Sequence, residues 1–302
     1  MQSATEQNSQ SDAPEPKKDK GQGQSLGQRW LTAVIAIPIV LAWVWFGGWV
    51  AFAGALLIVL LCIYELHNMM LHAGYRPLIV VSLGLSVLFL VAAMLPQQQR
   101  LLLLECGIGL ALLVSFPLLF FRKKLDGALV DWSLTLAIAI YVGWPMSIFL
   151  LLRGGGTSGI HGSQVFLPPG AWWLLMVLCG TWGFDAAAFF AGRYFGRHKL
   201  APSISPGKTW EGVLGGIVIA ITAGLLFVFR PLNVPWYLAI VLGILLGVAD
   251  VLGDLAESLI KRQTQVKDSG QLMRGHGGML DRMDSLLFAV IVVYVFSQLI
   301  GG

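Results

Sequence analysis

Between Asp250 and Ser285 the chain reads DVLGDLAESLIKRQTQVKDSGQLMRGHGGMLDRMDS, a concentration of charge set between two very apolar segments. Up to Lys261 the apolar pattern is helical, so Asp250 and Asp254 at i and i+4, then Glu257, Ser258 and Lys261, fall along one face. Asp281, Asp284 and Ser285 stand where the next helix begins, and i, i+3 spacing again puts both carboxylates on one side. Gly275, His276, Gly277 and Gly278 lie between, in a loop whose glycines permit positive φ and close approach of a phosphate or metal to the backbone. Carboxylates at two helix ends, joined by a basic, glycine-rich loop, suit a divalent cation that holds a polyphosphate.

A single acid there could be a solvated cap or a partner of Arg282. Asp250, Asp254, Asp281 and Asp284 together, near Lys261, Arg262 and Lys267, are harder to explain that way. Uncompensated carboxylates near a membrane repel one another, and a metal with a polyphosphate relieves this. His276 is open to three readings: metal ligand, general acid or polar loop residue. No second His or Cys lies close by, so zinc is disfavoured, and an all-oxygen set favours Mg²⁺ or Mn²⁺.

Two further places carry chemistry upstream. Asp185, in TWGFDAAAFFAGR, lies inside an apolar segment with Gly192 two turns on along the same face; an ionisable residue there points to function, the alternative being an acid at a fraying helix end. In the stretch from Ser203 to Gly212, Lys208 stands beside a hydroxyl at an expected helix start, where free N–H groups attract phosphate. Gly207-Lys208-Thr209 is not a P-loop, because that pattern needs Gly at position 202, which is Pro202, and a preceding strand. The alternative is a helix cap made by Ser205, with Glu211 in the first turn.

The elements that must position these groups are membrane spans. Hydrophobic residues make up 56% of the 302, charged residues 12%, and the mean hydropathy is +0.75, far from a soluble balance. A bilayer core needs about 20 apolar residues per helix. Nine segments qualify, at approximately 29–46, 48–66, 78–95, 101–120, 129–151, 171–191, 211–229, 235–257 and 280–300. The expected fold is therefore all-α and polytopic. Residues 1–27 are polar and lack an apolar run, which predicts a disordered tail. No apolar signal-peptide core stands at the N-terminus, so the first apolar run is expected to be a retained span. Cys62, Cys106 and Cys179 are isolated in apolar segments and suggest neither disulfides nor zinc.

With nine spans, 17 of the Lys and Arg residues fall on the side of the N-terminal tail, and only Arg100, Arg153 and Arg230 on the other. The positive-inside rule then gives a cytoplasmic N-terminus, an outside C-terminus, and cytoplasmic loops after spans six and eight. This placement also accounts for a sequence pI near 9.0 without nucleic acid. The chain divides into the tail (1–27), an N-terminal scaffold (28–152) and a C-terminal catalytic region (153–302). Apart from Glu65, Glu105 and Asp131 near expected span ends, the first five spans look like packing.

The run from Ser258 through Lys261-Arg262, Lys267-Asp268, Gly270, His276-Gly277-Gly278 and Asp281-Arg282-Met283-Asp284 resembles the signature of phosphatidate cytidylyltransferases. The likeness reaches upstream through SPGKTWEG to Asp185, while the N-terminal half matches in hydropathy alone. One departure is Met273-Arg274, where the family usually has an aliphatic or Phe residue followed by Pro or Gly. The resemblance implies transfer of a cytidylyl group from CTP to phosphatidic acid at a multi-pass site in the cytoplasmic (inner) membrane, by an enzyme expected to be a homodimer. It implies Asp254 and Asp281 as main Mg²⁺ ligands, with Asp250 and Asp284 beside them and a second, monovalent cation left open. Asp254, Asp281, Asp284 and Lys261 would carry the catalysis. Lys208, Arg262 and Lys267 would neutralise phosphates, Ser205 and Ser258 would donate to them, and Asp185, His276 and Arg282 would line the substrate site. Two rivals share part of the pattern. A Mg²⁺-dependent intramembrane prenyltransferase would show two DxxxD-type motifs, and a cation-coupled transporter using Asp185, Asp250 and Asp254 would spread polar residues across the bilayer.

Overall fold

The computed structural model describes residues 40–121, 125–154, 166–270 and 277–301. Its helices are α1 (described over 40–46), α2 (Gly48–His72), α3 (Ile79–Ala93), α4 (Gln97–Phe120), α5 (Ala128–Gly154), α6 (Pro169–Phe195), α7 (Trp210–Leu232), α8 (Trp236–Gln263) and α9 (Leu280–Gly301). Seven of these are long and apolar enough to cross a membrane, and α3, with 15 residues, is a shorter apolar helix. Eight of the nine expected spans thus have a helix of their own. The first falls mostly outside the described residues, as does the expected N-terminal tail.

The architecture is that of a multi-pass α-helical membrane protein, with one addition. Lys199–Ala201 (β1) and Ser205–Thr209 (β2) pair antiparallel, Lys199 opposite Thr209 and Ala201 opposite Ser205. The stretch expected to open a helix at Ser205 is therefore a strand, and the helix starts at Trp210. Pro206 explains the difference: it disfavours the α conformation at Ser205, the residue before it. The cap is made by Thr209, whose Oγ1 accepts from Gly212 N–H at 3.2 Å, instead of by Ser205.

Two helices absorb prolines by widening. π-turns at Ala139–Gly143 in α5 and Leu225–Phe229 in α7 end two residues before Pro145 and Pro231. Each ring removes an N–H and crowds the carbonyl one turn back, so a wider turn relieves the clash.

Helices α6 to α9 interlock closely through small residues, as lipid-embedded helices must when no hydrophobic effect drives them together. A Cβ on Gly243 of α8 would stand 2.5 Å from Ile221 Cα of α7. One on Gly253 would stand 2.5 Å from the Asp284 carbonyl of α9. Buried Trp173, Phe149, Leu66, Met146 and Leu246 belong to one continuous core spanning α2, α5, α6 and α8. By contrast α4 exposes Leu102, Leu110, Leu113 and Phe120, as a helix bathed in lipid does. It is pinned by Trp132 Nε1–H donating to Ser115 Oγ at 2.9 Å.

Side chains of α5 complete the start of α3: Asp131 Oδ1 accepts from Arg76 N–H and Thr135 Oγ1 from Leu78 N–H, both at 2.7 Å. Because α6 ends, α7 begins, α8 ends and α9 begins at one face of the bundle, the hairpin and the charged helix termini meet there.

Candidate active site

A cavity of about 430 Å³ opens at this face. Its walls are Phe184, Asp185, Phe189 and Arg193 from α6, Val213 from α7, and Val251 and Asp254 from α8, with Ser205, Lys208 and Thr209 of β2 closing one side. One part is thus apolar and another densely charged. Lys208 Nζ forms an ion pair with Asp254 Oδ2, while Ser258 Oγ donates to Asp254 Oδ1 at 3.2 Å.

The hairpin carrying Lys208 is held at both ends. At its base Glu211 accepts from Arg197 N–H at 3.1 Å and meets His198 Nδ1 at 2.6 Å. At its tip Arg262 Nε–H donates to the Ile204 carbonyl at 3.2 Å. Arg262 is therefore a tether for the hairpin and does not line the cavity. Arg193, which the spacing did not single out, does line it. It lies eight residues after Asp185 on the same helix, so helical periodicity counted from Asp185 was the signal that could have found it.

A second cluster lies beside the first. Lys261 Nζ is 2.8 Å from Asp281 Oδ1 and is also paired with Glu257, which is 1% exposed. Asp281 Oδ2 accepts from Gly278 N–H at 2.6 Å and from Ser269 N–H at 3.1 Å. Such a link from a first-turn acid to the backbone preceding its helix satisfies donors that the helix leaves free and suits the positive end of the helix dipole.

Glu65 of α2 completes this cluster. Set apart in the sequence only as an acid near an expected span end, it is 2% exposed and accepts from Met279 N–H and Leu280 N–H, both at 2.9 Å, and from Ser269 Oγ at 3.2 Å. Only folding could reveal it, since it stands more than 200 residues from its partners.

Asp250 is fully buried at the heart of the arrangement, and neither of its carboxylate oxygens has a hydrogen-bonding donor. Asp185 approaches it within reach of a side-chain hydrogen bond, and Asp284 and Lys208 are charged neighbours. Two carboxylates so close repel unless something positive lies between them. Asp284 itself accepts from Ser285 N–H at 2.8 Å, and Ser285 Oγ donates to the Asp250 carbonyl at 3.2 Å, joining α9 to α8.

The orphaned oxygens of Asp250 and the all-oxygen donor set fit a hard divalent cation. Among the described residues no three such side chains already converge on one point, because Lys208 and Lys261 hold Asp254 and Asp281. Arg282 and Lys267 are exposed on the same face of the bundle. His276, with Met273 and Arg274, lies outside the described residues.

Fold and site together define a polytopic membrane protein with a cation-and-carboxylate pocket, walled partly by apolar side chains, at one end of its helices. The chain belongs to the cytidylyltransferase family, whose sequence profile matches residues 27–300. A phosphatidate cytidylyltransferase of Synechocystis is 32% identical over 298 residues, covering 90% of this chain and 97% of that protein. One of Staphylococcus haemolyticus is 34% identical over 265 residues, covering 87% and 95%. One of Haemophilus influenzae is 48% identical over 128 residues, covering 40% and 44%. The likeness thus extends through the N-terminal half, beyond the hydropathy in which that half was read.

Proposed function

We propose that this protein transfers CMP from CTP to phosphatidic acid, giving CDP-diacylglycerol and pyrophosphate. The observation that carries the reading, beside family membership, is a single cavity that presents Lys208, Arg193 and Asp254 next to Phe184, Phe189, Val213 and Val251. A soluble polyphosphate and a lipid phosphate need such a divided pocket.

In the reaction an oxygen of the lipid phosphate attacks the α-phosphorus of CTP. A new P–O bond forms as the bond to the β-phosphate oxygen breaks, and pyrophosphate leaves with that electron pair. The nucleophile is already ionised at neutral pH, so no strong general base is required and none is assigned. Catalysis is then positioning and charge neutralisation. Lys208 and Arg193 face the phosphates from two sides, Ser205 donates to them, and the apolar wall excludes water and receives the glycerol and upper acyl carbons. Lys261 lies ready to neutralise charge as pyrophosphate forms. Asp250, Asp254, Asp281 and Asp284 would hold Mg²⁺, with Asp185 alongside, and Lys208 and Lys261 would be released from their acids towards phosphate. The ion would supply charge stabilisation for the attacking, bridging and leaving oxygens.

The charge bias of the loops supports placing this face in the cytoplasm, where CTP is made, and the chain in the bacterial inner membrane as a multi-pass protein. The resemblance carries a homodimer, which cross-linking in native membranes would test. The acids of α6, α8 and α9 cluster towards one end of those helices, which favours an enzyme over a transporter.

The experiment is conversion of labelled CTP to an organic-phase product by detergent-purified protein given phosphatidic acid and Mg²⁺, beside Asp281→Asn. Product from the wild type alone is expected. Folded wild-type protein that makes none would overturn the reading.

A further inference from the structure

We infer that Glu65 of α2 is a positioning residue for the reaction, setting Asp281 and Lys261 by clamping the start of α9 and Ser269 to the N-terminal half of the chain. This rests on the proposed function for its link to turnover, but its geometry stands alone. Both carboxylate oxygens are in use: Oε1 accepts from Met279 N–H, and Oε2 accepts from Leu280 N–H and Ser269 Oγ. Ser269 then bridges two acids, giving its hydroxyl to Glu65 and its N–H to Asp281. Asp281 in turn holds Lys261. A displacement at Glu65 therefore passes to Asp281 through one residue and to Lys261 through two.

The surroundings are shaped for this carboxylate. A Cβ at Gly270 would stand 2.6 Å from Glu65 Oε1, and one at Gly278 would run into Glu65 Oε2 and Ser269 Oγ. Gly277, at φ 78°, lets the chain turn so that the N–H groups of Gly278, Met279 and Leu280 all reach a carboxylate. A helix-packing acid needs none of this. Glu65 has no Lys or Arg as an ion-pair partner among the described residues; backbone N–H groups and the positive end of α9 balance its charge. Gln would keep the shape but turn an NH₂ towards one of those N–H groups, leaving a buried donor facing a donor.

The test compares wild type, Glu65→Gln and Ser269→Ala, purified whole in detergent, by thermal melting, by Mn²⁺ titration followed by electron paramagnetic resonance, by amide exchange at Met279 and Leu280, and by steady-state kinetics. Groups that orient metal-site residues typically alter affinity or activity by about 10–100-fold when changed. Glu65→Gln should therefore weaken Mn²⁺ binding and lower kcat within that range, shift the KM for CTP much less, and speed exchange at the two amides. Ser269→Ala should move the same quantities in the same direction by less. Glu65→Gln with wild-type Mn²⁺ binding and kcat, or activity lost only in proportion to unfolded protein, would overturn the assignment. Should Glu65→Gln fail to fold, unchanged Mn²⁺ binding and kcat in Ser269→Ala would do so. A wild type that binds Mn²⁺ but makes no lipid product would defeat the proposed reaction while leaving the Mn²⁺ and exchange comparison to decide the role of Glu65.

Discussion

Lys261 Nζ, in the last turn of α8, stands 2.8 Å from Asp281 Oδ1 in the first turn of α9. The same ammonium also serves Glu257, so one cation compensates two acids on two helices. Replacing it with Met leaves both carboxylates without their cation in a poorly hydrated site, Asp281 keeping only its backbone donors. Removing one partner of such a pair costs about 3–5 kcal/mol. Lys261→Met should lower the melting temperature markedly and abolish turnover, whereas the same Tm as wild type would show that the acids do not depend on it.

Lys208 differs in kind. Its hairpin is tethered independently by Glu211 and Arg262, so its loss should leave the fold alone. Charge-assisted contacts contribute about 1.5–3 kcal/mol. Lys208→Gln should therefore raise the KM for CTP by about 10–100-fold at unchanged Tm. An unaltered KM would remove Lys208 from the nucleotide site.

Asp250→Asn tests the orphaned carboxylate. Removing a buried charge that lacks a donor should raise the Tm of metal-free protein, while eliminating the response to Mg²⁺. Chelation should silence the wild type reversibly, with Mg²⁺ or Mn²⁺ restoring it. A fall in Tm would mean that Asp250 has a partner and is structural.

Tyr141 lies on the π-turn of α5, its buried hydroxyl without a hydrogen-bond partner and with Asp284, Glu257 and Asp254 as charged neighbours. Deleting a buried, unsatisfied hydroxyl should leave the Tm unchanged or raise it. If that donor serves a bound phosphate, Tyr141→Phe lowers kcat/KM by about tenfold or more. Equal kcat/KM would assign the hydroxyl no part in the reaction.

Gly253→Ala probes the joint between α8 and α9. Its Cβ would meet the Asp284 carbonyl at 2.5 Å and Ser285 Cα at 2.8 Å, both backbone atoms that cannot turn aside. Overpacking of this sort costs about 1–3 kcal/mol and should displace Asp284, lowering activity as well as Tm. Gly84→Ala, where a Cβ meets nothing within 4 Å, is the matched control and should be neutral or slightly stabilising.

The membrane helices could be read from residues 48 to 300 because a lipid environment leaves the backbone little choice. Uninterrupted apolar runs must become helices there, and polar breaks must lie outside. The grouping of Asp250 with Asp254, and of Asp281 with Asp284, was equally legible, since helical spacing is a local property. So was the kinship carried by the Ser258–Asp284 signature, because its characteristic residues stand in one short stretch.

What each acid does was not legible. Asp254 and Asp281 are alike in sequence, yet one is held by Lys208 of the hairpin and the other by Lys261 and two backbone N–H groups. Asp250 is held by neither a lysine nor a backbone N–H and has another acid, Asp185, beside it. The hairpin itself escaped notice because its two strands have three and five residues, too short for any periodicity to register. Glu65 escaped because nothing within its own helix distinguishes it from an acid at a membrane boundary. Its partners, Ser269, Met279 and Leu280, are brought to it by the packing of α2 against α9, and such pairings depend on which surfaces fit together across the bundle rather than on any pattern along the chain.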